Sequence, residues 1–374
     1  MLAYVTIVFF IIAGQILVDS KVLKKELYCW IVCIVFTLLC GLRSENLGMW
    51  DTSSVYIPSF NIINSHSILD LLEMHDTQYK FIGFVLYSKF IGQISENHNF
   101  FIFMMGWPFY VALTYIIIKY TRRPVYSFLS ILAMGYLTYS FSMMRGMLAF
   151  SAICMALDAA LDNKWKKMVI WTTIGASFHI TALLFLVSYF VKKITWSFTR
   201  IITIFVVLFA FRDKIPSIWE SFVSNYVSLI LPTYNYYGFN GGVIATGMII
   251  VYAVILLTAL VKTFIGPQLS KIHCKKNNKN NLMSDENINF LFGLSVLATV
   301  LMTLTYVLSE MIRIAMILGF AIVLLAGMGG LSVSTKNMRV VSVIEWIEAL
   351  VLIIYFLFAA LPNMNSVPYL FFWE

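Results

Sequence analysis

The chain has 374 residues, of which 60% are hydrophobic and 12% charged, and a formal net charge of +8. A mean hydropathy of +0.85 excludes a soluble globular enzyme and identifies a polytopic membrane protein. The positive charge does not point to nucleic acid, because the basic residues fall in short clusters between apolar runs, where they set topology.

In chain order, "MLAYVTIVFFIIAGQILV" has neither a basic leader nor a small-residue cleavage site and reads as a retained first span. A bilayer core about 30 Å thick takes roughly 20 apolar residues per helical span. On that scale, spans are predicted near 2–18, 27–42, 100–118, 125–142, 146–161, 199–212, 243–263, 288–308, 311–329 and 340–360. The cationic loops "DSKVLKKE" (19–26), "KYTRRP" (119–124), "DNKWKK" (162–167), "KKITWSFTR" (192–200), "KIHCKKNNKNN" (271–281) and "STKNMR" (334–339) then face the cytoplasm, and both termini lie outside. The expectation is a single integral membrane domain, 1–374, with outer loops 43–99 and 213–242 and a cytoplasmic loop 264–287.

Two apolar stretches fall outside this count. "YKFIGFVLYSKFIG" (79–92) carries Lys80 and Lys89 and is read as an outer interfacial helix. "MVIWTTIGASFHITALLFLVSYF" (168–190) has lysines on both flanks, which favours a re-entrant pair of half-helices with His179 near the turn. The predicted class is therefore all-α: about ten transmembrane helices, a re-entrant half-helix pair and an outer interfacial helix, a GT-C-like arrangement.

The predicted outer ends gather Arg43, Glu45 and Asp51 after the second span, Arg145 in "MRGMLAF", and Glu310 with Arg313 in "SEMIRIAM". Arg145 and Arg313 stand at the start of descending helices, where the macrodipole favours an anion. Guanidinium planes grip phosphate oxygens in forked geometry, so these arginines suit a lipid-borne diphosphate. Competing readings stay open: Arg43 and Arg145 as snorkelling end residues, and Arg313 as the partner of Glu310 one turn away. His179 is either a satisfied buried imidazole or a group facing a cavity. Asp51, Thr52 and Tyr56 bring hydroxyls and a carboxylate to the surface for sugar hydroxyls, although Asp51 also suits an N-cap. Tyr234, Tyr236 and Tyr237 in "LPTYNYYGFNGG" form an interfacial belt or platforms for pyranose rings. His66, Asp70, Glu73, His75 and Asp76 read as a solvated face. Cys29, Cys33, Cys40, Cys154 and Cys274 lack ligand spacing, the outer loops hold no D-x-D pair, and no phosphate-cradling G-x-x-x-x-G-K-[ST] loop occurs. No metal or cofactor is expected.

Five segments in order carry a family resemblance: "GLRSENLGMWDTSSVY", "MRGMLAFSAICMALDAAL", "GASFHITALLFL" with Thr181 in a serine position, "SEMIRIAMILGF" and "NMNSVPYLFF". Together they resemble the EpsG family of bacterial polysaccharide polymerases, which share their role with the Wzy polymerases of O-antigen and capsule. The resemblance implies an enzyme of the bacterial cytoplasmic membrane. Such an enzyme moves a growing glycan from one polyprenyl diphosphate onto the acceptor sugar of another lipid-linked repeat unit at the outer face. Its partners would be the donor and acceptor glycolipids, the bilayer and a chain-length regulator, with no nucleic acid. On this footing Arg43, Arg145 and Arg313 are candidates for the leaving diphosphate. His179, Asp51 and Glu310 are candidates for the base that deprotonates the acceptor hydroxyl. The rival functions are a flippase or transporter of the same unit, an O-antigen ligase, and a membrane O-acyltransferase.

Overall fold

The computed structural model describes residues 1–48, 51–74, 81–211, 214–222, 225, 243–262, 283–306, 312–328, 338–363 and 366–373. Regular structure among them is helical, apart from an isolated antiparallel bridge between Arg43 and Phe371. The chain forms two compact units, Met1–Leu186 with Ile353–Glu374, and Val187–Leu352.

The first unit contains α1 (Leu2–Asp19), α2 (Lys25–Gly41), α3 (Ile57–Ser65), α4 (Ile68–Glu73), α5 (Ile82–Ile94), α6 (His98–Tyr120), α7 (Pro124–Ala133), α8 (Tyr136–Tyr139), α9 (Met144–Leu161) and α10 (Trp165–Phe178). Helix α9 is at its centre, and 78% of its length is buried. The cause is compositional: between Arg145 and Asp158, near its two ends, α9 is apolar but for Ser151 and rich in alanine, so neighbours pack closely on several faces. Helices α6 and α10 both do so, and α2 packs against α6.

Helix α2 runs antiparallel to α6, and α6 runs parallel to α9, so the helix ends fall into two groups. At one end, Lys25 Nζ donates to the terminal carbonyls Ile118 O (2.8 Å) and Thr121 O (3.1 Å), which α6 itself leaves without partners. There Arg123 pairs with Asp19 at 3.7 Å, Lys119 with Asp158 at 2.7 Å, and Asp162 with Lys164 at 2.7 Å. Three of the cationic loops therefore meet at one end of this unit. The opposite end gathers the C-terminus of α2 and the N-termini of α6 and α9.

The span expected over 125–142 is interrupted. Helix α7 ends at Ala133, Gly135 takes φ +76°, and α8 and a turn follow before α9. That left-handed conformation is open to glycine and strained for a side chain. The predicted outer loop 43–99 contains α3, α4 and α5. Within the stretch 168–190, α10 stops at Phe178, His179 is extended (φ −154°, ψ 123°), and a 3-10 run continues over Ile180–Val187. Ala182 packs beside Gly175, so the chain reverses at His179.

The second unit contains α11 (Ser188–Val191), α12 (Phe198–Ala210), α13 (Ile215–Phe222), α14 (Val243–Leu260), α15 (Asp285–Met302), α16 (Ile312–Gly327) and most of α17 (Met338–Tyr355). Helices α15 and α16 pack on each other and on α14. Asn289 of α15 pins the preceding loop, accepting from Trp196 N at 2.6 Å and donating to Ile194 O at 2.9 Å. Lys262 is buried with two carboxylates of α17, its Nζ 2.6 Å from Glu348 Oε2 and 3.9 Å from Glu345 Oε1.

Among the described residues four helical segments are long and apolar enough to cross a membrane: Leu2–Asp19, His98–Tyr120, Met144–Leu161 and Val343–Ala360. The span expected at 199–212 corresponds to the 13 residues of α12, a rise of about 20 Å. Of the expected loop 213–242 the described residues are 214–222, which carry α13, and 225, and of the expected loop 264–287 they are 283–287, which lead into α15.

Candidate functional site

The end of the first unit that collects the α6 and α9 N-termini holds Arg43, Asp51, Tyr56, Arg145 and His179. Arg43 follows the C-terminus of α2 and is fully buried. Its guanidinium donates to Phe141 O (2.6 Å), Thr52 Oγ1 (3.0 Å), Ser44 O (3.2 Å) and Leu47 O (3.4 Å). Thr52 Oγ1 in turn donates to Phe141 O at 2.7 Å. Burial pulls the guanidinium below its ordinary pKa, and the neighbouring polar groups oppose that shift. Arg43 thus clamps the loop 44–47, the turn at Thr52 and the segment before α9. Its acceptors are protein oxygens.

Asp51 precedes a π-helical turn, Thr52–Tyr56, that runs into α3. Such turns add a residue to the helix and re-aim its side chains. Here the turn directs the buried Tyr56 inward, with its ring edge-on to Phe84 and 5.8 Å from Arg145 Cζ. Tyr56, expected to hold sugar, faces a guanidinium.

Helix α9 begins without a side-chain cap on Met143 and without an acidic residue in its first turn. The positive end of its dipole therefore has no acidic side chain of its own first turn beside it. Arg145 adds a full charge in the same turn. Its Cζ lies 5.1 Å from the Phe81 ring and 5.7 Å from the Phe84 ring, so with Tyr56 three aromatic faces surround the cation. Its Nε is buried and has no hydrogen-bond partner. Aromatic faces stabilise a cation by about 0.5–2 kcal/mol each, but they do not neutralise it. The arrangement suits an incoming anion.

His179 is joined to this cage through Phe81. The imidazole and the Phe81 ring stack with centroids 5.9 Å apart and planes 9° from parallel. Close approach of α5 to α10 makes this stacking available: a Cβ on Gly83 would collide with the Ser177 side chain, two residues before His179. His179 Nδ1 is 2.7 Å from Thr181 Oγ1. Thr181 N also donates to Nδ1, at 3.4 Å, so Nδ1 acts as an acceptor toward the backbone of its own turn.

Arg313 stands in the first turn of α16, in the second unit. Glu310, Tyr234, Tyr236, Tyr237, His75, Asp76 and Cys274 lie outside the described residues. Cys29, Cys33, Cys40 and Cys154 are buried thiols. Asp70 belongs to a capping box with Ser67, and the hydrogen bonds from Ser67 hold its carboxyl below the usual range. Sequence reasoning missed Phe81 and Phe84, which nothing distinguishes among 31 phenylalanines. It also missed the Lys262, Glu345 and Glu348 cluster, although charges inside apolar runs were a visible signal.

The EpsG family model matches residues 26–371. The match covers nearly the whole chain, and the protein belongs to that family, the family of Wzy-type polysaccharide polymerases. No curated protein and no solved structure matches the chain.

Proposed function

We propose, from membership of the EpsG family, that this membrane protein is a glycosyltransferase that extends a glycan on a polyprenyl diphosphate. In this reading the growing chain passes from its carrier to the acceptor sugar of a second lipid-linked repeat unit at the outer face of the cytoplasmic membrane. The acceptor oxygen forms the new glycosidic bond as the anomeric carbon–oxygen bond to the diphosphate breaks. The acceptor proton goes to a base, and the polyprenyl diphosphate leaves as an anion.

The observation that supports this reading most is that one ring, Phe81, lies against both the Arg145 guanidinium and the His179 imidazole. A cation for the leaving group and a base for the nucleophile are thereby neighbours. Arg145 and the N-terminal dipole of α9 stabilise charge where it develops on the diphosphate. The His179 imidazole accepts the acceptor proton, and Thr181 fixes the ring through its contacts to Nδ1. Asp51 is the alternative base or the group that orients the acceptor hydroxyls. Arg43 acts indirectly, by holding the Thr52 turn that carries Tyr56.

Complementation of a strain deleted for the gene tests this. Arg145→Ala and His179→Ala are expected to insert into the membrane at wild-type levels and to leave single-repeat glycolipid in place of a long-chain ladder. Arg145→Lys retains charge but not the planar fork, so only partial extension is expected. Full ladders from both alanine variants would remove these residues from the mechanism. Lipid-linked units trapped inside the deletion strain would indicate a flippase instead.

A further inference from the structure

A cleft of about 550 Å³ opens beside the pairing of residues 42–44 with 370–372, and it shares no lining residue with the Arg145 cage. This volume falls in the range of roughly 300–1,000 Å³ typical of small-ligand sites. Its walls come from the loop after α2 and the start of α6, with Glu45, Asn46, Glu96, His98, Asn99 and Phe372 among the lining residues.

The walls are held by hydrogen bonds. Ser44 N donates to Leu370 O at 2.8 Å, Phe372 N donates to Leu42 O at 3.0 Å, and Arg43 grips the carbonyls of Ser44 and Leu47. Asn97 Oδ1 caps α6 by accepting from Asn99 N and Phe100 N, and His98 Nε2 is 3.2 Å from Asn61 Oδ1. A site on such supports is preorganised.

We propose that this cleft is a glycan subsite, which holds uncharged or amino-bearing sugars of the lipid-linked chain apart from its diphosphate. Carboxamides such as those of Asn46 and Asn99 each offer two donors and an acceptor, which suits neighbouring hydroxyls. The Phe372 ring is 44% exposed and offers an apolar face to the C–H side of a pyranose. Glu45 and Glu96 repel phosphate and acidic sugars and favour an ammonium group. Among the described residues no group of three or more His, Cys, Asp or Glu side chains is arranged to hold a metal ion. The proposal rests on the polymerase reading for the identity of the glycan, but binding can be measured without it.

The test uses the full chain in nanodiscs. Its probe is a set of oligosaccharides released by partial acid hydrolysis from the host strain's own surface polysaccharide, free of lipid and diphosphate. Saturation-transfer NMR is expected to show binding to the wild type. Asn46→Ala with Asn99→Ala should weaken it about tenfold or more. Glu45→Gln with Glu96→Gln, two conservative surface changes, should retain neutral sugars and begin to admit acidic ones. No binding by the wild type, or equal binding by the double alanine variant, would overturn the proposal. Arg145→Ala should bind these lipid-free probes as the wild type does. A full-length ladder from Arg145→Ala in cells would sink the polymerase mechanism while leaving a positive binding result standing.

Discussion

Lys262→Met probes the buried charge cluster of the second unit. In the wild type, Lys262, Glu345 and Glu348 have side-chain exposures of 2%, 2% and 0%. The ammonium lies 2.6 Å from one carboxylate and 3.9 Å from the other. At an effective dielectric constant of about 20, these separations correspond to attractions of roughly 6 and 4 kcal/mol. Desolvation of three ions offsets most of that sum, so the intact cluster adds little net stability. Removing the cation alone forfeits both attractions and leaves two carboxylates buried together. The expected loss is about 3–5 kcal/mol, which for a unit of this size lowers the unfolding temperature by roughly 10 °C. Thermal unfolding of detergent-purified protein checks this. The triple variant Lys262→Met, Glu345→Gln, Glu348→Gln should recover most of the loss, because no charge then remains to desolvate. A single Lys262→Met variant that unfolds at the wild-type temperature would refute the reasoning, as would a triple variant less stable than the single one.

Three further outcomes are expected in the first unit. Gly83→Val should force α5 away from Ser177 and separate Phe81 from His179, abolishing chain extension in the ladder assay while the protein is still inserted. Arg43→Ala should remove the guanidinium from four acceptors, of which Phe141 O keeps Thr52 Oγ1 and Ser44 O keeps Leu47 N as donors, and thermal unfolding should show a loss of about 3 kcal/mol. Asp162 has its carboxyl held below the usual range, first by the hydrogen bond from Lys164 and then by the charge of Lys119, against some burial. Its contribution is therefore present at neutral pH and lost as pH falls below about 4. The unfolding temperatures of Asp162→Asn and the wild type should converge in that range.

The parts of the fold legible in the sequence were those fixed by local composition. Apolar runs of helical length gave α1, α2, α6 and α9, and lysines on both flanks of 168–190 pointed to an interruption where α10 stops at Phe178. The break at Gly135 was harder to read, because one glycine in a greasy run is as often a packing contact as a turn. Arg43 and Arg145 looked alike in sequence, each at the edge of an apolar run. Their difference is non-local: Arg43 meets a carbonyl 98 residues away, whereas Arg145 meets rings delivered by the Thr52–Tyr56 turn and the start of α5. Glu96, Asn99 and Phe372 gave no joint signal for the same reason, since only the folded chain brings them to one cleft.

The bridge between Arg43 and Phe371 imposes an order on biogenesis. Residue 43 leaves the ribosome more than 300 residues before its partner, and all of Val187–Leu352 is translated in between. The early helices must therefore wait in the membrane with an open seam until the late segment arrives to close it. Slowed translation or premature release upstream of residue 366 would leave that seam exposed to quality-control proteases.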